Sequence, residues 1–161
     1  MTSGFEGTTL ALLRELLAPL FPGLIGLQLI EASGERVVAS LKVRPDLCTT
    51  GEILHGGALM AFADTLGAVG TFLNLPKGAR TATIESSTKF IGAASVGSTV
   101  IGECTAFHRG RTTMVWQTLV SPRPESYTGW SRKRNSSVSA AEESVTCLKF
   151  RGCCSSRRRW F

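Results

Sequence analysis

The sequence lacks a C-x-x-C pair, a basic run ahead of an early apolar segment, an internal repeat and, over its first 120 residues, any excess of charge. Each absence narrows the function. Five cysteines form an odd set, Cys48 and Cys104 in the body and Cys147, Cys153 and Cys154 near the end. An adjacent Cys153-Cys154 pair is a poor zinc arrangement, so no metal site is expected, and the set reads as reduced thiols of a cytoplasmic protein. Without a basic start before the first apolar run, a secretory signal is not expected. Residues 1–120 carry nine basic and nine acidic side chains, and the net +6 of the 161-residue chain sits wholly in the last 41. The body is therefore not a basic nucleic-acid binder. Only the tail, through Arg132–Arg134 and Arg157–Arg159 with Trp130 or Trp160 for stacking, has the makings of one, and nucleic acid is not the expected partner.

Charge is scarcest in one place. Between Glu52 and Lys77 the only ionisable residues are His55 and Asp64. A carboxylate alone on an apolar surface costs free energy unless it has a partner or a task. The stretch is about as long as a membrane span, for which roughly 20 apolar residues suffice. His55 and Asp64 within it, four glycines in residues 54–73 and no flanking aromatic belt argue against a membrane.

What is present is a change of period. Leu10, Leu13, Leu17 and Leu20 recur at helical spacing, with Thr8 or Thr9 as N-cap and Pro19 near the stop. Ile25, Leu27 and Leu29, then Val37, Ala39, Leu41 and Val43, alternate around Ser33-Gly34 as a hairpin with one buried face. A loop follows from Pro45. The stretch from about Leu54 to Asn74 reads as a helix so apolar that it should be enclosed. Strands follow over about Thr81–Ile91, Thr99–Phe107 and Thr112–Val120. Antiparallel strands on both sides of a buried helix make an α+β arrangement, a sheet curled round the helix.

Periodicity stops at Ser121. Residues 1–121 form one domain, and residues 122–161 read as a basic, irregular tail with a short strand at 144–151 as its one regular candidate. Charge, cysteine, tryptophan and loss of alternation change together there, as an out-of-frame translation would make them. The tail is expected not to be a selected continuation of the fold. A connection of more than about 20 residues before a closing strand also counts against including it.

His55-Gly56-Gly57, Asp64 nine residues after the histidine, the element order and Gly110-Arg111-Thr112 opening a late strand together resemble the hotdog-fold acyl-CoA thioesterases, in the group similar to the phenylacetate-pathway enzyme. The resemblance covers roughly residues 10–120. It implies a hotdog fold, hydrolysis of acyl- or aryl-acyl-CoA to free acid and CoA, no cofactor beyond the CoA of the substrate, and a homodimer or a dimer of dimers. The physical reading of the same residues agrees. A helix start presents unpaired N–H groups and partial positive charge, and glycines let a carbonyl approach them. The expected roles are Gly57 N–H polarising the thioester carbonyl, Asp64 as general base or nucleophile, and His55 orienting the helix start or bonding near the carbonyl. Gly56, Thr49 and Thr83 are expected at the substrate, and Arg109 and Arg111 at CoA phosphates. Asp64 lies about 10 Å along the helix from Gly57, too far to share one carbonyl within a chain. The resemblance implies that the acid of one subunit faces the helix start of another. Where family members often carry Asn, six residues before the histidine, this chain has Thr49. That departure keeps a non-catalytic acyl-CoA binder or sensor as the alternative.

Overall fold

The computed structural model describes the backbone of residues 3–123 and 142–151 and the side chains of residues 9–123. The chain runs α1 (Ser3–Leu17), α2 (Phe21–Leu24), β1 (Leu27–Ala32), β2 (Arg36–Lys42), a 3₁₀ turn (Pro45–Leu47), β3 (Cys48–Thr49) and β4 (Ile53–Leu54). The long helix α3 (Gly56–Asn74) follows, then β5 (Arg80–Lys89), β6 (Thr99–Arg109), β7 (Thr113–Pro122) and β8 (Glu142–Arg151). Six strands form one antiparallel sheet in the order β1-β2-β6-β7-β8-β5, and β3-β4 form a separate two-stranded ribbon.

Period-two alternation sets the core. Leu27 pairs with Leu41 and Leu29 with Ala39 across the first hairpin, and these four side chains are buried. The Ser33 hydroxyl closes its turn, accepting from the Arg36 N–H at 3.0 Å. Helix α3 lays Leu59, Phe62, Leu66 and Val69 on the sheet. Each such burial contributes about 1.5–3 kcal/mol. Close contact depends on two glycines. A Cβ at Gly70 would stand 2.7 Å from the Trp116 ring, and one at Gly102 would stand 2.6 Å from Phe62. Trp116 is fully buried, and its indole N–H donates to the Thr71 hydroxyl at 2.8 Å, so its one polar atom is satisfied.

Three expectations change. The first helix begins at Ser3, ahead of Thr8 and Thr9, and ends at Leu17. Leu20 therefore falls outside it and is 51% exposed, whereas Leu13 is buried. Second, α3 is not wholly enclosed. Gly57, Met60, Ala61, Asp64, Ala68 and Phe72 form a stripe that the sheet leaves partly or fully uncovered. This helix is long and apolar enough to cross a membrane, but half of the apolar window is buried inside the protein. Third, the sheet does not end near residue 121. The candidate strand at 144–151 corresponds to β8, which pairs antiparallel with β7 on one side and β5 on the other. The rest of the tail, residues 124–141 and 152–161, lies outside the described residues. Among the described residues, β8 is the only strand hydrogen-bonded to β5.

Candidate active site

The 3₁₀ turn and the β3-β4 ribbon deliver the chain to the start of α3. The His55 N–H donates to the Leu47 carbonyl at 2.9 Å, and the Leu54 N–H to the Ala94 carbonyl at 2.8 Å. Extended backbone at His55 then turns into the helix. Histidine is an unusual N-cap, since short oxygen side chains usually take this place. Its Nδ1 accepts the Gly57 N–H at 2.9 Å. Accepting there leaves the ring proton on Nε2. The His55 carbonyl accepts from Ala58 and Leu59 at 2.9 and 3.1 Å.

This corrects the role expected of Gly57: its N–H is already engaged by the cap. Gly56 opens the helix, and its N–H has no hydrogen-bond partner among the described residues. Glycine at 56 also leaves room for a neighbouring ring. A Cβ there would stand 3.2 Å from two atoms of the Phe90 ring.

Asp64 lies two turns further on the uncovered face of α3, half-buried. Its partner is Thr83 on β5, whose hydroxyl donates to Asp64 Oδ1 at 3.0 Å. The β5-β8 register shifts between Thr83 and Glu85, an irregularity that inserts Ile84. Such bulges re-aim a side chain, and here the residue before the bulge meets the acid. The other acid oxygen has no recorded partner among the described residues. Thr65, next in sequence, does not cap the acid; its hydroxyl donates to the Ala61 carbonyl at 2.7 Å.

Thr49 is exposed on β3, paired with Ile53 one strand ahead of the helix start. Arg109 is elsewhere. It pairs with Glu35 at 2.6 Å and donates to Asn74 Oδ1 at 3.3 Å, at the last residue of α3. A rise of 1.5 Å per residue puts that end about 27 Å from Gly56. Arg111 is exposed on the β6-β7 turn, which Gly110 N–H closes by donating to Thr113 O at 2.9 Å. Neither arginine meets the helix start within one chain. Sequence reasoning missed Phe90 and the engagement of Gly57. The first was hidden because only the fold brings residue 90 to residue 56; the second follows from the adjacency of His55 and Gly57. Among the described residues no cluster of His, Cys, Asp or Glu could hold a metal ion.

Residues 51–125 match the Thioesterase superfamily. A presumptive esterase from Deinococcus radiodurans is 34% identical over 58% of this chain, and the chain spans 58% of that relative's length. Among solved structures, a thioesterase from Haemophilus influenzae is 18% identical with a TM-score of 0.76, covering 92% of this chain and 94% of its own. The phenylacetic acid degradation protein PaaI from Thermus thermophilus, as a point mutant, is 17% identical with a TM-score of 0.65, covering 80% and 96%. A Streptococcus mutans protein bound to acetyl CoA is 16% identical with a TM-score of 0.64, covering 79% and 90%. The fold is thus the hotdog fold, a curled antiparallel sheet against a long central helix, and the likeness to hotdog thioesterases expected from His55-Gly56-Gly57 and Asp64 is shown.

Proposed function

We propose that the protein is a thioesterase that hydrolyses acyl-CoA or aryl-acyl-CoA thioesters, in a site shared between two copies of the chain. The observation that carries this reading is the Asp64–Thr83 pair on the uncovered face of α3, on the helix whose Gly56 N–H is unengaged. The match of residues 51–125 to the Thioesterase superfamily supports the reaction class. The acetyl CoA bound to the Streptococcus mutans fold neighbour supports the CoA carrier.

The chemistry follows from the two groups. Asp64, with one oxygen held by Thr83, takes a proton from water through the other. The water oxygen bonds to the thioester carbon, and the oxyanion that develops is met by the Gly56 N–H at the positive helix end. Collapse breaks the C–S bond, and the proton passes to the CoA thiolate. The products are the free acid and CoA. His55 keeps the helix start in place by capping Gly57 and leaves its Nε2–H as a further donor. Attack by Asp64 itself, through an anhydride, is the competing route. Single turnover in ¹⁸O water separates the two, because an anhydride puts label into Asp64.

Gly56 and Asp64 are eight residues apart, about 12 Å along one helix, so a single carbonyl cannot meet both from one chain. A second copy resolves this. The uncovered face of α3 and the position of β5 at the edge of the sheet among the described residues leave room for a second copy, and a homodimer brings the partner's acid to this chain's helix start. Dimers of dimers are compatible with the same pairing. Free Cys48 and Cys104 support a cytosolic location. The reading requires no cofactor.

The test is thiol release from a panel of acyl- and aryl-CoA esters by wild type and Asp64→Ala. Loss of a general base is expected to slow hydrolysis about 10²–10⁴-fold. Equal, background rates with acyl-CoA still bound would replace the enzyme with the non-catalytic binder, the outcome that Thr49 in place of asparagine favours.

A further inference from the structure

We propose that Phe90 is a specificity-determining residue of this site, the wall against which the acyl group packs beside the thioester carbonyl. The inference rests on the hydrolytic reading above and adds the group that sorts substrates.

A phenylalanine just past the end of β5 is 53% exposed, and Ile91 after it is 64% exposed. Exposed apolar side chains occur elsewhere on this chain too, Phe107 among them. The place of Phe90 is informative. The Cε1 and Cζ atoms of Phe90 face the first residue of α3, each 3.2 Å from where a Cβ on Gly56 would stand. The segment that carries the ring is tied down. Ala94 accepts the Leu54 N–H at 2.8 Å, Ser95 bridges to Ile53, and the Val96 N–H donates to Glu52 at 2.7 Å. The chain a few residues beyond the ring is thus fastened to the same ribbon that leads into the helix.

An oxygen accepting from the Gly56 N–H would sit about 2.9 Å from that nitrogen. The Phe90 ring stands against the same residue, and in the proposed arrangement one substituent of the carbonyl carbon runs along it. The polar CoA arm gains nothing there, whereas an apolar acyl chain removes both itself and the exposed Phe90–Ile91 surface from water. A flat ring edge at this point suits a flat or linear acyl group and crowds one that branches at the α-carbon. Aryl groups gain further from ring–ring contact.

The experiment compares wild type, Phe90→Ala and Phe90→Leu on benzoyl-CoA, hexanoyl-CoA and isobutyryl-CoA, with inhibition by free CoA measured beside them. Removing a wall from a hydrophobic pocket changes discrimination by roughly tenfold or more. Phe90→Ala is expected to shift the benzoyl-to-isobutyryl ratio of kcat/KM toward isobutyryl by about that factor, with inhibition by free CoA unchanged. Phe90→Leu, which keeps apolar bulk, is expected to lose the aryl preference while still disfavouring isobutyryl-CoA. A uniform fall for all three esters, or an unchanged ratio in both variants, overturns the proposal while leaving the hydrolytic reading standing. If wild type hydrolyses none of them, calorimetric binding of the same esters decides. Affinities that shift between acyl groups on Phe90→Ala keep the wall and remove the enzyme; no binding overturns both.

Discussion

Strands β2 and β5 belong to one sheet, yet they live in different surroundings. In β2, Val37, Val38, Ala39 and Leu41 are buried. In β5 none of ten residues is buried, and Ile84 is 57% exposed. The first strand has neighbours on both sides, and the second lies at an edge with only β8 beside it among the described residues. The difference teaches where this chain is complete. Its core is finished around β1, β2, β6 and β7, and is left open where Asp64, Thr83, Gly56 and Phe90 lie. This open half is where the site shared between two copies is proposed.

The sharpest break of this comparison is removal of residues 123–161. It deletes β8, the strand that joins β5 to the rest of the sheet among the described residues. Thr83 then loses its fixed place against Asp64. The expected outcome is hydrolysis near background and loss of a single cooperative thermal transition. A truncated protein that melts cooperatively and keeps its rate would show that β8 is dispensable, as the composition of the tail suggests.

The closed half is sharpened next. Trp116→Ala empties a fully buried site and leaves the Thr71 hydroxyl without its indole donor. It is expected to cost about 3–5 kcal/mol in denaturant unfolding. Ile84→Asp in the open half is expected to spare the fold of the single chain and to weaken self-association in sedimentation, since a charge on an edge strand opposes pairing. If both variants change only unfolding, the two halves do not differ as argued.

Within the site, Thr83→Val keeps the shape and removes the hydroxyl that Asp64 accepts. A hydrogen bond to a charged group contributes about 1.5–3 kcal/mol, so kcat/KM should fall about 10–100-fold. A rate equal to wild type would mean that the pair is incidental to catalysis.

How much of this was legible depends on whether the signal was local. The hairpin of Leu27, Leu29, Ala39 and Leu41 was, because each strand buries one face and alternation records it. So was α3, whose apolar run exceeds any strand. The uncovered side of α3 was not legible from hydropathy, because glycine, alanine and methionine serve a sheet contact and a subunit contact equally well. The Asp64–Thr83 pair was only half visible. Its acid stands out in an uncharged stretch, but the bulge that aims Thr83 leaves no mark in sequence. Phe90 was invisible because only the fold brings it to Gly56. The tail misled in the other direction: composition shifts at Ser121, while backbone pairing continues at Glu142–Arg151. The engagement of the Gly57 N–H was not legible from a count of helix N–H groups, because the histidine before it takes that bond through its ring.

The smallest expected effect separates the halves by their thiols. Cys104 lies on β6 between Val37 and Thr118 of the flanking strands and is fully buried. Burial penalises its thiolate and pushes the thiol from 9.0 up to about 12. In the unfolded chain the thiol ionises near its ordinary value, so between these two values the folded state holds a proton that the unfolded state has lost. Stability must then fall as pH rises from about 9 toward about 12, and be unaffected by this group below that window. Cys104→Ala should flatten that part of the alkaline unfolding curve relative to wild type. Cys48 is half-buried on β3, beside the open site, and its thiol is expected to take a thiol reagent in the native protein. Peptide mapping of the labelled native chain should find Cys48 modified and Cys104 untouched until unfolding. Labelling of Cys104 at the native rate of Cys48 would mean that the closed half opens as readily as the open one, and the contrast between β2 and β5 would lose its meaning.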